Sequence, residues 1–203
     1  MTTTTTTTTS VEYFDRQFIQ QIEAHDFALN PFESRTAPFL RGQVLDFGCG
    51  LGNLAVHAAR HGHRVTALDA SASAIDHLRG LAARESLPIN ALQADLRSTQ
   101  LDEQLETVVS IGLLMFFDCP TALRQVEHLM SLVLPGGILA INVLIEGTTF
   151  LDMFSSQGHC LFKPDALIDR LRGWTILVDE CSRFAAPRST VKVFSTVIAQ
   201  KPL

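Results

Sequence analysis

A chain of 203 residues has the length of one domain, enough to bury a full core without disulfides or a structural metal. Its 46% hydrophobic and 18% charged residues are the proportions of a soluble globular protein, and a net charge of -5 excludes the broad Lys/Arg face of a nucleic-acid binder. No apolar run approaches membrane-spanning length, and no secretory leader is visible. Cys49, Cys119, Cys160 and Cys181 lack Cys-x-x-Cys spacing, so the expectation is reduced thiols in a cytoplasmic protein, with no disulfide framework and no metal site.

In chain order, residues 1–10 are dominated by the tract Thr2–Thr9 and read as a low-complexity, disordered tail. Ser10 suits the N-cap of a helix with Val11, Phe14, Phe18, Ile19 and Ile22 on one face. A second short apolar segment, Ala37–Leu40, follows a turn at Asn30-Pro31. Residues 11–42 thus form an N-terminal helical cap, over either a ligand cleft or a sheet edge.

Residues 43–203 alternate strand and helix. Strands are expected at Val44–Phe47, Arg64–Leu68, Leu87–Gln93, Thr107–Ile111 and Ile138–Leu144. The helices between them run over Asn53–His61, closed by Gly62, then from a Ser71 or Ser73 cap, then from Pro120 to the Leu134-Pro135-Gly136-Gly137 break. Pro164 starts one more helix, and Trp174–Asp179 with Val191–Ala199 form a terminal antiparallel hairpin. The fold class is α/β: a doubly wound, mostly parallel seven-stranded sheet with a C-terminal antiparallel hairpin. In such sheets ligands bind beyond the strand carboxyl ends, where the strand order reverses.

Asp46, Gly48, Gly50, Gly52, Asp69, Asp95 and Ser110–Gly112 all fall at strand carboxyl ends. The glycine spacing misses the dinucleotide fingerprint, because the third glycine comes one residue early and Asn53 takes its place. No Gly-Lys-Ser/Thr follows, so the loop is not a triphosphate cradle. Asp-x-Gly-x-Gly-x-Gly with an acidic residue ending strand two resembles the class I S-adenosylmethionine-dependent methyltransferases. That resemblance runs from about Gln43 to the C-terminus and implies their Rossmann-like fold.

It further implies that the backbone of Asp46, Gly48, Cys49, Gly50, Gly52 and Asn53 passes the methionine and ribose of the cofactor. Asp69, with Ala70, would receive the ribose hydroxyls; Asp95 and Leu96 would meet the adenine; Ser110, Ile111 and Gly112 would line the sulfonium side. Tyr13, Phe14, Phe18, Phe116 and Phe117 are the candidate acceptor-side or lid residues. Read without the resemblance, Asp69 is equally a helix cap, Cys49 a packed small side chain, and His57, His61 and His63 a solvated helix face.

Leu113–Asp118, Leu134–Gly137, Phe162–Leu167, Gly173-Trp174 and Val191–Lys201 narrow the resemblance to the tellurite-resistance methyltransferase branch. The branch implies a small soft acceptor, tellurite and selenium compounds included, assisted by His and Arg between the last two strands. Here Arg183 and Arg188 stand in that region without a histidine, and His159 is the candidate general base. Thiols, halides and thiopurines are the alternative acceptors. A nicotinamide-dependent oxidoreductase and a non-catalytic nucleotide-binding protein are the alternatives of another class. As partners the expectation is a small-molecule methyl acceptor, with no nucleic acid and no membrane, in a monomer or homodimer.

Overall fold

The computed structural model describes residues 9–154 and 158–203, over 9–12 by backbone only. The expected threonine tail at 2–8 lies outside the described residues, whereas Thr9 and Ser10 both belong to the first helix, α1 (Thr9–Ala24), so Ser10 does not cap it. Along α1, Tyr13, Phe14 and Phe18 turn inward, while Ile19, expected on the same face, is 50% exposed. A helix laid over the edge of a cleft has only a narrow inward stripe to fill.

The Asn30-Pro31 turn is a helix start. Asn30 caps α2 (Pro31–Thr36): its Oδ1 accepts from the Phe32 and Glu33 N–H groups at 2.9 Å, while Glu33 Oε2 accepts from the Asn30 N–H at 2.8 Å. This reciprocal capping box satisfies donors that have no partner inside a helix. A 3-10 turn, Ala37–Phe39, then leads into the sheet.

Seven strands follow: β1 (Gln43–Phe47), β2 (Arg64–Asp69), β3 (Ile89–Gln93), β4 (Leu105–Ile111), β5 (Val133–Leu144), β6 (Thr175–Ala186) and β7 (Thr190–Gln200). They form one sheet in the order β3-β2-β1-β4-β5-β7-β6. The first five are parallel, and β7 runs antiparallel to both β5 and β6. Chain order reverses between β1 and β4, which places the crevice at their carboxyl ends.

Four helices cover the sheet: α3 (Asn53–Arg60), α4 (Ala72–Glu85), α5 (Cys119–Leu132) and α6 (Ala166–Arg170). Strand alternation divides the core into two layers. Leu45, Phe47, Val108, Leu139 and Ile141 pack with Val126 and Leu129 of α5 and Leu167 of α6. Val44, Val65, Ala67, Val109 and Ala140 face Leu54, Ala58, Ile75 and Leu78 of α3 and α4. Burial on both faces explains why these strands read as continuous apolar runs instead of alternating ones.

Two features depart from the sequence reading. Leu134-Pro135-Gly136-Gly137 does not precede β5 but lies within it: pairing with β4 jumps from Leu105↔Val133 to Thr107↔Ile138. Proline fits there because the bulged stretch has left the regular ladder. Second, Cys119 and Cys160 form a disulfide across 41 residues, with Cα atoms 4.7 Å apart, so the expectation of four reduced thiols is wrong for this pair. Cys119 opens α5, and Cys160 is carried to it by its N–H bond to the Met115 carbonyl (2.9 Å). Buried Cys49 and exposed Cys181 are free. Among the described residues no helix is long and apolar enough to cross a membrane.

Candidate active site

The glycine loop is built by its own backbone. Gly48 and Cys49 both donate to the Leu68 carbonyl, at 2.8 and 2.9 Å, which turns the chain back over the end of β2. Gly50, at φ +53°, donates its N–H to Asp69 Oδ2 (2.8 Å), and a Cβ on it would stand 3.1 Å from the Phe18 ring of α1. Gly52, at φ +78°, begins α3, and a Cβ there would meet Leu78 of α4 at 2.6 Å. The third glycine therefore serves helix packing; it lies outside the cavity wall.

Asp69 braces this loop: besides Gly50, its Oδ1 accepts from the Ser71 N–H at 2.9 Å. Burial raises its pKa against these bonds, and Asp15 raises it further. The cap of α4 is Ser71, whose Oγ accepts from the Ala74 N–H and also meets the Asp15 carboxylate of α1. Asp46 is 4% exposed. Burial first, then the negative charges of Glu33 and Asp69, push its pKa up to about 8 despite a bond from the Ala55 N–H. Burial also raises Glu33, partly offset by its bond from Asn30. The Cys49 thiol is pushed well up by burial and then by Asp46 and Asp69, which makes it a poor nucleophile.

These groups line one cavity of about 540 Å³ above the strand carboxyl ends. Of the expected cofactor residues, Asp46, Gly48, Cys49, Gly50, Asn53, Asp69, Ala70, Asp95, Leu96, Ile111 and Gly112 reach its wall; Gly52 and Ser110 do not. Ser110 is fully buried behind Gly112, with its Oγ unpartnered. Tyr13, Phe14, Phe18, Phe116 and Phe117 all line the cavity. Phe14 meets Phe116 edge-on at 5.0 Å, and Phe32 tilts against Phe194 at 4.7 Å.

The three candidate catalytic residues are not brought to the wall. His159 stacks on Phe154 (4.3 Å) behind Phe116. Arg183 projects from β6 into solvent, and Arg188 at the hairpin tip pairs with Asp152. The wall also holds residues the sequence reading missed: Asn30, which caps α2, Phe32 and Glu33 of α2, Arg97 after β3, Asn142 at the end of β5, and Lys192 and Phe194 of β7. The Asn-Pro-x-Glu capping box was a readable signal for the first group. A lone lysine within the apolar run Val191–Val193 was another.

A reversing parallel sheet, a glycine loop after β1 and a carboxylate ending β2 are the arrangement of the Rossmann-like methyltransferase fold, whose cofactor is S-adenosylmethionine. Comparison with known proteins agrees with that fold: residues 44–137 match the family model described as a methyltransferase domain. The chain is 26% identical over 212 residues to Hemagglutinin 1 of Eikenella corrodens, covering 95% of this chain and 70% of that protein. It is 33% identical over 106 residues to the ubiquinone biosynthesis O-methyltransferase of Coxiella burnetii, covering 52% of this chain and 45% of that protein. It thus spans about half the length of those methyltransferase relatives.

Among solved structures, TehB from Haemophilus influenzae superposes with a TM-score of 0.75 at 18% identity, over 95% of this chain and 67% of that one. The N-methyltransferase NodS from Bradyrhizobium japonicum, in complex with S-adenosyl-L-homocysteine, gives 0.70 at 18% identity over 96% and 100%. At these identities the likeness is one of fold. The nicotinamide-dependent alternative has no support among these matches.

The residues present fit the cofactor. Glu33, Asp46 and Asp69 concentrate negative charge on the glycine-loop side of the cavity, and none of the three is paired with a cation among the described residues. A ligand carrying ammonium and sulfonium charges answers that field; without one, burial first and the neighbouring carboxylates second hold Asp46 protonated below about pH 8.

Proposed function

We propose that this chain transfers the methyl group of S-adenosylmethionine to a small soft nucleophile, and that an apolar organic thiol fits better than a tellurite or selenium oxyanion. The observation that carries the choice of acceptor is the wall beyond Gly112: it is largely apolar, formed by Phe14, Phe116, Leu144, Met153 and Phe194 with Lys192 as its charged donor, and so offers a fully hydrated oxyanion far fewer hydrogen bonds than water does. Removing such an anion from water without replacing its hydrogen bonds is costly, whereas a polarisable sulfur packs well against aromatic rings and methionine.

When bound, the cofactor supplies an already activated methyl group. The chain's task is then alignment. Asp46 and Glu33 balance the positive charge, Asp69 holds the loop and receives the ribose hydroxyls, and the aromatic wall confines the acceptor and excludes water. Orientation of this kind is worth up to roughly 7–11 kcal/mol in well-aligned reactions. A thiolate needs no general base, which suits a wall with His159 turned away onto Phe154. α1 acts as a lid on this reading, supported by the packing of Phe18 over Gly50.

A cytoplasmic location belongs to the same reading through the cofactor, an intracellular metabolite. The Cys119–Cys160 bond is in tension with it, because reducing compartments disfavour structural disulfides. Calorimetric titration with S-adenosylhomocysteine tests the cofactor reading, and no binding at millimolar ligand by folded protein sinks it. A methyl-transfer screen across organic thiols, thiopurines, halides, selenite and tellurite tests the acceptor. Turnover confined to the oxyanions would reverse the order proposed.

A further inference from the structure

The cavity is electrically two-ended. Its glycine-loop side carries Glu33, Asp46 and Asp69; Lys192 of β7 lines the acceptor side, while Arg97, after β3, lies 4.0 Å from Asp95. Lys192 is half-buried, with its Nζ 4.9 Å from the centroid of the Phe150 ring, and among the described residues it has neither a salt bridge nor a hydrogen-bonded partner. Partial burial without a counterion lowers its pKa, the expected response of an ammonium that has lost water and gained no anion.

A second group on the same wall is also short of a partner. Asn142 is 1% exposed and gives its Nδ2 to Thr196 Oγ1 at 2.9 Å, but its buried Oδ1 has no hydrogen bond. Its backbone carbonyl accepts from the Gly112 N–H at 3.0 Å, which fixes it beside the sulfonium end of the cofactor site. Thr196 pairs with Asn142 in register, and Lys192 lies four residues further along the same strand, about 13 Å at the usual strand rise. A lysine side chain turned from Phe150 toward Asn142 would shorten that span to about the length of one substituted aromatic ring.

We propose that the acceptor is a small aromatic or similarly apolar acid whose nucleophilic sulfur lies on the Gly112 side of the cavity and whose anionic group is held by Lys192. This rests on the methyltransferase reading and adds the acceptor's second functional group. Lys192 then selects the substrate and sets its distance from the methyl group, and the Phe14–Phe116 and Phe32–Phe194 pairs enclose the ring between the two ends. It touches the acceptor's distal group, not the reacting atoms, so it is a specificity residue.

The test uses the full chain loaded with S-adenosylhomocysteine and titrated with 4-mercaptobenzoate or with 4-mercaptobenzamide, which differ only in the anionic group. Wild type should bind the acid about 10- to 100-fold more tightly than the amide, the range for one charge-assisted hydrogen bond. Lys192→Met should abolish that preference, and Lys192→Arg should retain most of it, with S-adenosylhomocysteine affinity the same in all three. Equal binding of the two probes, no binding of either at millimolar concentration, or a preference that survives in Lys192→Met each overturns the proposal. Failure of the underlying reading is separately visible, as loss of S-adenosylhomocysteine binding by the wild-type chain.

Discussion

Replacing Asp69 with alanine perturbs two things that the structure separates. In the free protein the carboxylate accepts from the Gly50 N–H at 2.8 Å and the Ser71 N–H at 2.9 Å, so its removal strands two partly buried donors. Each costs about 1–3 kcal/mol when left without a partner, and water entering the vacated space recovers part of this. The ionised form is itself opposed by burial and by Asp15, so its loss also relieves strain in the field. The net expectation is destabilisation by about 1–3 kcal/mol. In the complex the same carboxylate would receive the ribose hydroxyls on its remaining lone pairs, worth a further 1.5–3 kcal/mol or so, about 10- to 150-fold in affinity. Urea denaturation reads the first effect, and calorimetry with S-adenosylhomocysteine, at a temperature where the variant is fully folded, reads the second. A folded variant that binds with wild-type affinity refutes the cofactor role and leaves Asp69 as a loop brace alone.

Asp46 predicts a pH dependence. With a folded pKa of about 8 against 3.8 unfolded, the native state holds the extra proton, so free-protein stability falls as pH rises from about 4 to 8 and is level above. Binding S-adenosylmethionine should expel that proton, so affinity should rise by up to about tenfold per pH unit between pH 5.5 and 7.5, below the titration of the ligand's own amino group. Calorimetry in buffers of different ionisation enthalpy measures the proton released, and a flat profile in wild type contradicts the carboxylate cluster. For the cysteines, denatured protein should show two reactive thiols, Cys49 and Cys181, and four after reduction. Reduction should cost about 4 kcal/mol for a closed loop of 41 residues; four thiols before reduction would rule the bond out. Removing residues 1–24 should weaken S-adenosylhomocysteine binding, because Phe18 leaves the Gly50 backbone open to water. Unchanged binding would mean that α1 does not close the site.

The cofactor half of the site was legible in the chain because local rules govern it. Asp46, Gly48, Gly50 and Asp69 sit at the ends of strands whose apolar runs announce burial on both faces, and the glycines occur where positive φ is needed. Even so, spacing did not separate the cavity-lining glycines from Gly52, whose role is set by Leu78 of a different helix. Capping at Asn30 was written locally too, in Pro31 and Glu33, but that it carries Glu33 to within reach of Asp46 was not.

The acceptor half was decided by tertiary structure. Arg183 and Arg188 satisfied a sequence expectation of nearby positive charge, yet the direction of a hairpin and its pleat turn Arg183 to solvent and give Arg188 to Asp152. Lys192 reaches the cavity because β7 is inserted between β5 and β6, a topology that brings Phe194 opposite Leu144 and Thr196 opposite Asn142. Cys119 and Cys160 show the same limit, since 41 residues of separation became 4.7 Å only when the Cys160 backbone met the Met115 carbonyl. The sequence by itself determined most of the residues that line the glycine-loop side of the cavity, because strand ends, glycine turns and caps are short-range physics. Which side chains converge on the acceptor depends on strand order and side-chain direction over long separations, and those exist only in the folded sheet.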